Sequence, residues 1–179
     1  SSAPELIIQK RTQAAANWFV YSSGIGNTKY LVLDANIASS SAVNIWNNTD
    51  PTDKVFTVSA QPDVNGYASI AYCFHSIPGY SKIGFYVGTG VATGPKIYTG
   101  FDTCWVMIKR TDDISNWNIY DNKRDPSNPS GPPLYPNLSN AEAGSQAINL
   151  LSDGFQPDWP SGGTGDVNVL GGTYIYMAF

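Results

Sequence analysis

The stretch 108–125, IKRTDDISNWNIYDNKRD, has a counterpart at 9–23, QKRTQAAANWFVYSS. Lys10, Arg11, Thr12, Asn17, Trp18 and Tyr21 recur as Lys109, Arg110, Thr111, Asn116, Trp117 and Tyr120 at one constant spacing. A match of this kind marks an internal repeat, and a repeat sets the architecture before any local signal does. The echo extends further along the chain. KVFT at 54–57 answers DGFQ at 153–156, DVN at 63–65 answers DVN at 166–168, and ASIAYCF at 68–74 answers TYIYMAF at 173–179.

These segments alternate with a period of two, as strands do. Ile70, Tyr72 and Phe74 share one face, and Ile175, Met177 and Phe179 share the matching one. Trp18 with Val20, and Trp117 with Ile119, fall on one side of their strands, which is assigned to the core. The runs LIIQKR and VMIKR precede them across the short loops TQAAA and TDDIS, so each copy opens as a β-hairpin. The fold class expected is all-β: an antiparallel, jelly-roll-like β-sandwich of two tandem diverged repeats, residues 1–74 and 75–179. Residues 80–101 read as two strands around the turn GTGVATGP, and nothing like them precedes residue 1. The first repeat is therefore expected to lack an opening hairpin, supplied by an upstream segment or covered by a neighbouring chain, because an uncovered sheet edge invites aggregation.

Composition narrows the function classes. The chain has 179 residues, of which 13% are charged, with a net charge of −4 and no basic stripe. A phosphate backbone is held by clustered cations, so nucleic acid is not an expected partner. No apolar run approaches the roughly 20 residues of a membrane-spanning helix. A surface of Asn, Ser, Thr, Gly and Tyr suits an extracellular or virion β-protein.

No residue pattern carries catalysis. His75 follows a strand and has no nucleophile-elbow motif to serve, so it is read as a plain strand-end residue. Asp112 and Asp113 are adjacent on a turn and would point apart, which does not suit glycoside hydrolysis. Two cysteines cannot build a zinc site, and Cys73 and Cys104 occupy positions that the other copy fills with Ala178 and Glu5; two free buried thiols are expected, a disulfide joining the copies being the alternative. The stretches 48–53 and 162–168 lack calcium-loop spacing and are read as turns, so neither metal nor cofactor is expected. Residues 122–144 hold five prolines and must form a long surface loop, ending in a short helical turn near 139–146. Flat amphipathic rings suit carbohydrate or protein contact, and Tyr135 in this loop and Trp159 in FQPDWPSGG are the candidate ligand-binding residues. The sequons at Asn47 and Asn137 matter only in a secreted eukaryotic protein.

The second copy resembles a known family. GFDTCWVMIKRTDDISNWNIYDNKRD, then YPNLSNAE, SDGFQ and GGTYIYMAF, are similar to a β-rich repeat domain of tailed-bacteriophage structural proteins, many of them marine and often tail or fibre proteins. The resemblance covers residues 80–179; the first copy keeps only the Lys-Arg-Thr and Asn-Trp block. It implies a non-enzymatic virion component, homo-oligomeric and associated with other virion proteins, which could attach to host surface polysaccharide. Asp121, Arg124, Asn137 and Glu142 match its recurrent polar positions, where they would organise the long loop through hydrogen bonds and an Arg–carboxylate pair. The alternative reading is a secreted carbohydrate-binding module of a larger protein.

Overall fold

Each Lys-Arg-Thr stretch closes its hairpin in the same register. In a computed structural model describing residues 2–59, 67–142, 147–158 and 167–179, β1 (Leu6–Arg11) pairs with β2 (Trp18–Ser22), Lys10 opposite Trp18 and Ile8 opposite Val20. The strands 105–110 and 117–121 repeat this, with Lys109 opposite Trp117 and Met107 opposite Ile119. The third strand of each unit also agrees: Leu6 faces Phe74 and Lys10 faces Ile70, while Trp105 exchanges both backbone hydrogen bonds with Phe179 and Lys109 faces Ile175.

The chain is an all-β antiparallel sandwich, with no helix among the described residues. β3 (Lys29–Val32), β4 (Ser40–Ser41) and β5 (Ser69–Phe74) complete a five-stranded sheet in the order β4-β3-β2-β1-β5. After β6 (Lys82–Val87), β7 (Ile97–Tyr98), β8 (Trp105–Arg110) and β9 (Trp117–Asp121) come β10 (Ala147–Leu151), β11 (Gly154–Asp158) and β12 (Thr173–Ala178). They form a four-stranded sheet, β6-β12-β8-β9, and a three-stranded sheet, β10-β11-β7. No sheet mixes strands from the two sides of Phe74.

Three apolar clusters hold the layers together. The five-stranded sheet turns Leu6, Ile8, Val20 and Leu31 toward Met107, Trp117, Ile175 and Met177 of the four-stranded one. Matching positions meet there, and the rings of Phe74 and Phe179 lie edge-on at 6.4 Å. The far face of the first sheet, with Ile7, Phe19 and Tyr21, is covered by a segment carrying Ile45, Trp46, Phe56 and Val58. The far face of the four-stranded sheet buries Val106, Ile108, Tyr120, Tyr174 and Tyr176 against Ile97, Ile148 and Phe155 of the three-stranded sheet. Strands β1, β8 and β12 are thus covered on both faces, which is why they read as nearly continuous apolar runs rather than clean alternations.

Several expectations are corrected. Residues 82–98 do not form a hairpin: β6 pairs with β12 and β7 with β11, in different sheets. The glycine-rich connection lets the chain change layers, since Gly88 N donates to Gly172 O and Gly90 N to Asn168 O. Cys73 and Cys104 are free thiols, but both are exposed rather than buried. Trp117 is only 1% exposed, whereas Trp18 is half-buried at the rim of the same cluster. The helical turn expected near 139–146 is absent from its described part, 139–142; residues 143–146 lie outside the described residues.

Candidate functional site

The residues of the Lys-Arg-Thr motif build architecture in both units. Lys10 Nζ donates to Ala16 O, and Lys109 Nζ to Ser115 O at 2.8 Å, so each lysine clamps its own hairpin loop. Thr12 ties the hairpin to the third strand by donating from N and Oγ1 to Ala68 O; Thr111 does the same to Thr173 O. The Trp18 amide donates to Asp34 Oδ1 and the Trp117 amide to Asn137 Oδ1. The arginines, however, diverge. Arg11 lies over the Tyr67 ring, 3.3 Å from its centre, while Arg110 grips Asp112 with two bonds of 3.1 and 2.9 Å.

A cleft of about 370 Å³ lies where the five-stranded sheet ends against β6, β8 and β12. This volume lies within the range that accepts a small ligand. Asp112, Lys29, Ser39, Thr111 and Thr173 supply the polar lining, and Phe85 supplies an apolar wall. Phe85 is 71% exposed although Ile83, on the same face of β6, is buried. The opposing sheet reaches Phe85 only through the turn at Gly24, where an added Cβ would lie 3.3 Å from Phe85. Asp112 accepts from Thr173 N at 2.8 Å as well as from Arg110, and the Arg110 hydrogen bonds hold its carboxyl down at about 2. It is therefore a fixed anion lining the cleft, which Lys29 also lines. A six-membered sugar ring stacked on Phe85 would find donors and acceptors at its edge.

The residues singled out from sequence fall elsewhere. Asp121 and Arg124 form an ion pair at 3.1 Å, and Arg124 reaches Glu142 at 2.5 Å and Pro132 O at 2.9 Å. Asn137 Nδ2 donates to Asn116, so both ends of this sequon side chain are engaged in the hairpin. The proline-rich loop is pinned rather than open. Leu134 exchanges backbone hydrogen bonds with Ile119, Ser130 does so with Ile148, and the Asn128 amide pairs with Leu150 like a strand residue. Tyr135 sits half-buried in that loop, away from the cleft, and Trp159 lies outside the described residues. His75 Nδ1 faces Ser76 O, and Ser76 Oγ bonds the backbone of Ile83, so the two do not form a base–nucleophile pair. Among the described residues no cluster of His, Cys, Asp and Glu could hold a metal ion.

Fold and cleft define a layered β-module with a mixed aromatic and polar groove. The chain belongs to the DUF7483 family, a domain of unknown function, whose profile matches residues 1–179. No curated protein and no solved structure matches it.

Proposed function

We propose that this protein is a non-enzymatic structural module of a tailed-phage particle, in a tail, fibre or surface appendage, built from two diverged copies of one β unit. Its partners in that setting are other virion proteins, and its groove at Phe85 and Asp112 contacts host surface polysaccharide. The observation that carries the glycan part is the exposed Phe85 ring beside a fixed carboxylate, an ammonium and two threonine hydroxyls. The structural part is supported by the recurring polar residues, which are spent on clamping hairpins and not on a reactive centre. Purified particles should contain the protein by mass spectrometry, and its absence from them would sink the virion reading. On a glycan array, Phe85→Ala should weaken binding by about fivefold or more, since a stacked ring supplies on the order of 1 kcal/mol or more. Unchanged binding, or loss only with Trp159→Ala, would move the site away from the groove. Glycan binding by a chain that is not in particles would instead support a secreted carbohydrate-binding module.

A further inference from the structure

β5 and β12 occupy matching places beside β1 and β8, yet their outer edges differ. On β12, the N–H and C=O groups of Tyr174, Tyr176 and Ala178 point away from β8 and meet β6 in antiparallel register, Tyr176 opposite Gly84. The matching residues of β5 are Ser69, Ala71 and Cys73. Ala68, Ile70 and Tyr72 are the residues whose backbone groups turn toward β1, as the bond from Thr12 N to Ala68 O fixes. Among the described residues nothing pairs with the outward backbone groups of Ser69, Ala71 and Cys73.

Among the described residues, this edge has none of the usual protections. SIAYCF contains no proline, no charge and no bulge, and Ile70 and Tyr72 are 43% and 44% exposed. The neighbouring candidate edge, that of β6, is blocked: Ser76 Oγ donates to Ile83 O and accepts from Ile83 N, and the Gly24 turn packs on Phe85.

We infer that β5 pairs antiparallel with β5 of a second copy of this chain, about a two-fold axis through Ala71. The outward residues are self-complementary in this register. Ala71 meets Ala71, and Ser69 meets Cys73, as hydrogen-bonded pairs. Ile70 then lies opposite Tyr72, a β-branched and aromatic pair of the kind that stabilises sheets. With no charge on the strand, no like charges oppose one another. The five-stranded sheet continues across the axis into its twin. A single strand pair is small beside the roughly 1,200–2,000 Å² of stable interfaces, so the dimer forms reversibly as concentration rises. This pairing does not depend on the glycan reading.

Sedimentation equilibrium should show a monomer–dimer equilibrium. Ala71→Pro, which removes an outward N–H without touching the β1 ladder, should weaken it by about tenfold or more. Ile70→Lys gives a second variant that places like charges across the axis, and circular dichroism checks the fold of both. In a Cys104→Ser background, Ser69→Cys should cross-link to Cys73 of the second copy on mild oxidation, because hydrogen-bonded antiparallel partners lie about 5.5 Å apart at Cα, within disulfide reach. The Cys104→Ser protein alone should not cross-link. A monomer at every concentration, or a dimer that neither variant weakens and Ser69→Cys does not trap, overturns the inference.

Discussion

The two halves of this molecule use the same hairpin, but the second is finished in ways the first is not. Ile175 and Met177 on β12 are buried, while Ile70 and Tyr72 at the matching places on β5 are exposed. Phe155 is buried on the three-stranded sheet against the four-stranded one, whereas Phe56, its counterpart, packs from an irregular covering segment. The difference lies in β6, β7 and the three-stranded sheet, for which the described residues before Phe74 supply no matching strands. The shared Lys-Arg-Thr and Asn-Trp residues therefore mark the hairpin, and neighbours set how much each position contributes.

The sharpest way to test that contrast is at the two tryptophans. Trp117 is enclosed, and its Nε1 donates to Val32 O at 2.9 Å across the sheet interface. Trp117→Ala should cost about 3–5 kcal/mol in urea unfolding, while Trp18→Ala, at the rim, should cost only about 1–2 kcal/mol. Equal losses would mean the two hairpins contribute alike and the comparison fails.

A smaller effect is expected where β7 crosses β11. A Cβ on Gly154 would stand 1.9 Å from Ile97 O, so only glycine allows this approach. The counterpart, Val55, is 63% exposed and has no crossing strand. Gly154→Ala should lower stability by about 1–3 kcal/mol through overpacking, and Val55→Ala should be close to neutral in the same thermal or urea assay.

The smallest effect concerns acid. Asp112 is held near 2 in the folded chain, against 3.8 unperturbed, chiefly by Arg110. Its contribution is complete above the unperturbed value and is lost as pH falls toward 2, because protonation then breaks the Arg110 contact. Solvent screening keeps it below about 1 kcal/mol. Asp112→Asn should therefore flatten the acid limb of a stability–pH curve between about 4 and 2, while the first unit, which has Gln13 there, offers no such limb to remove. An unchanged acid limb would show that the Arg110 pair is not felt by the fold.

Much of the fold was legible because period-two alternation and paired spacing are local and are read directly from residue order. The Lys-Arg-Thr and Asn-Trp positions announced both hairpins. The roles of Asp112 and Phe85 were not legible. Asp112 looked like half of an unproductive acid pair, because nothing in TDDIS says that Thr173 closes on it. Phe85 alternates in phase with a buried Ile83, and its exposure depends on where the opposing sheet stops. The cysteines were misplaced for the same reason: strand alternation gives a face, but not whether anything covers it.

Sequence by itself determined the all-β class and the two hairpins, since each follows from residue patterns a few positions apart. Tertiary structure alone decided which sheet received β6 and β7, and therefore which face became core, which became groove, and which edge stayed open. Those outcomes depend on how whole layers stack, and a layer's coverage is set by chain segments far away in sequence.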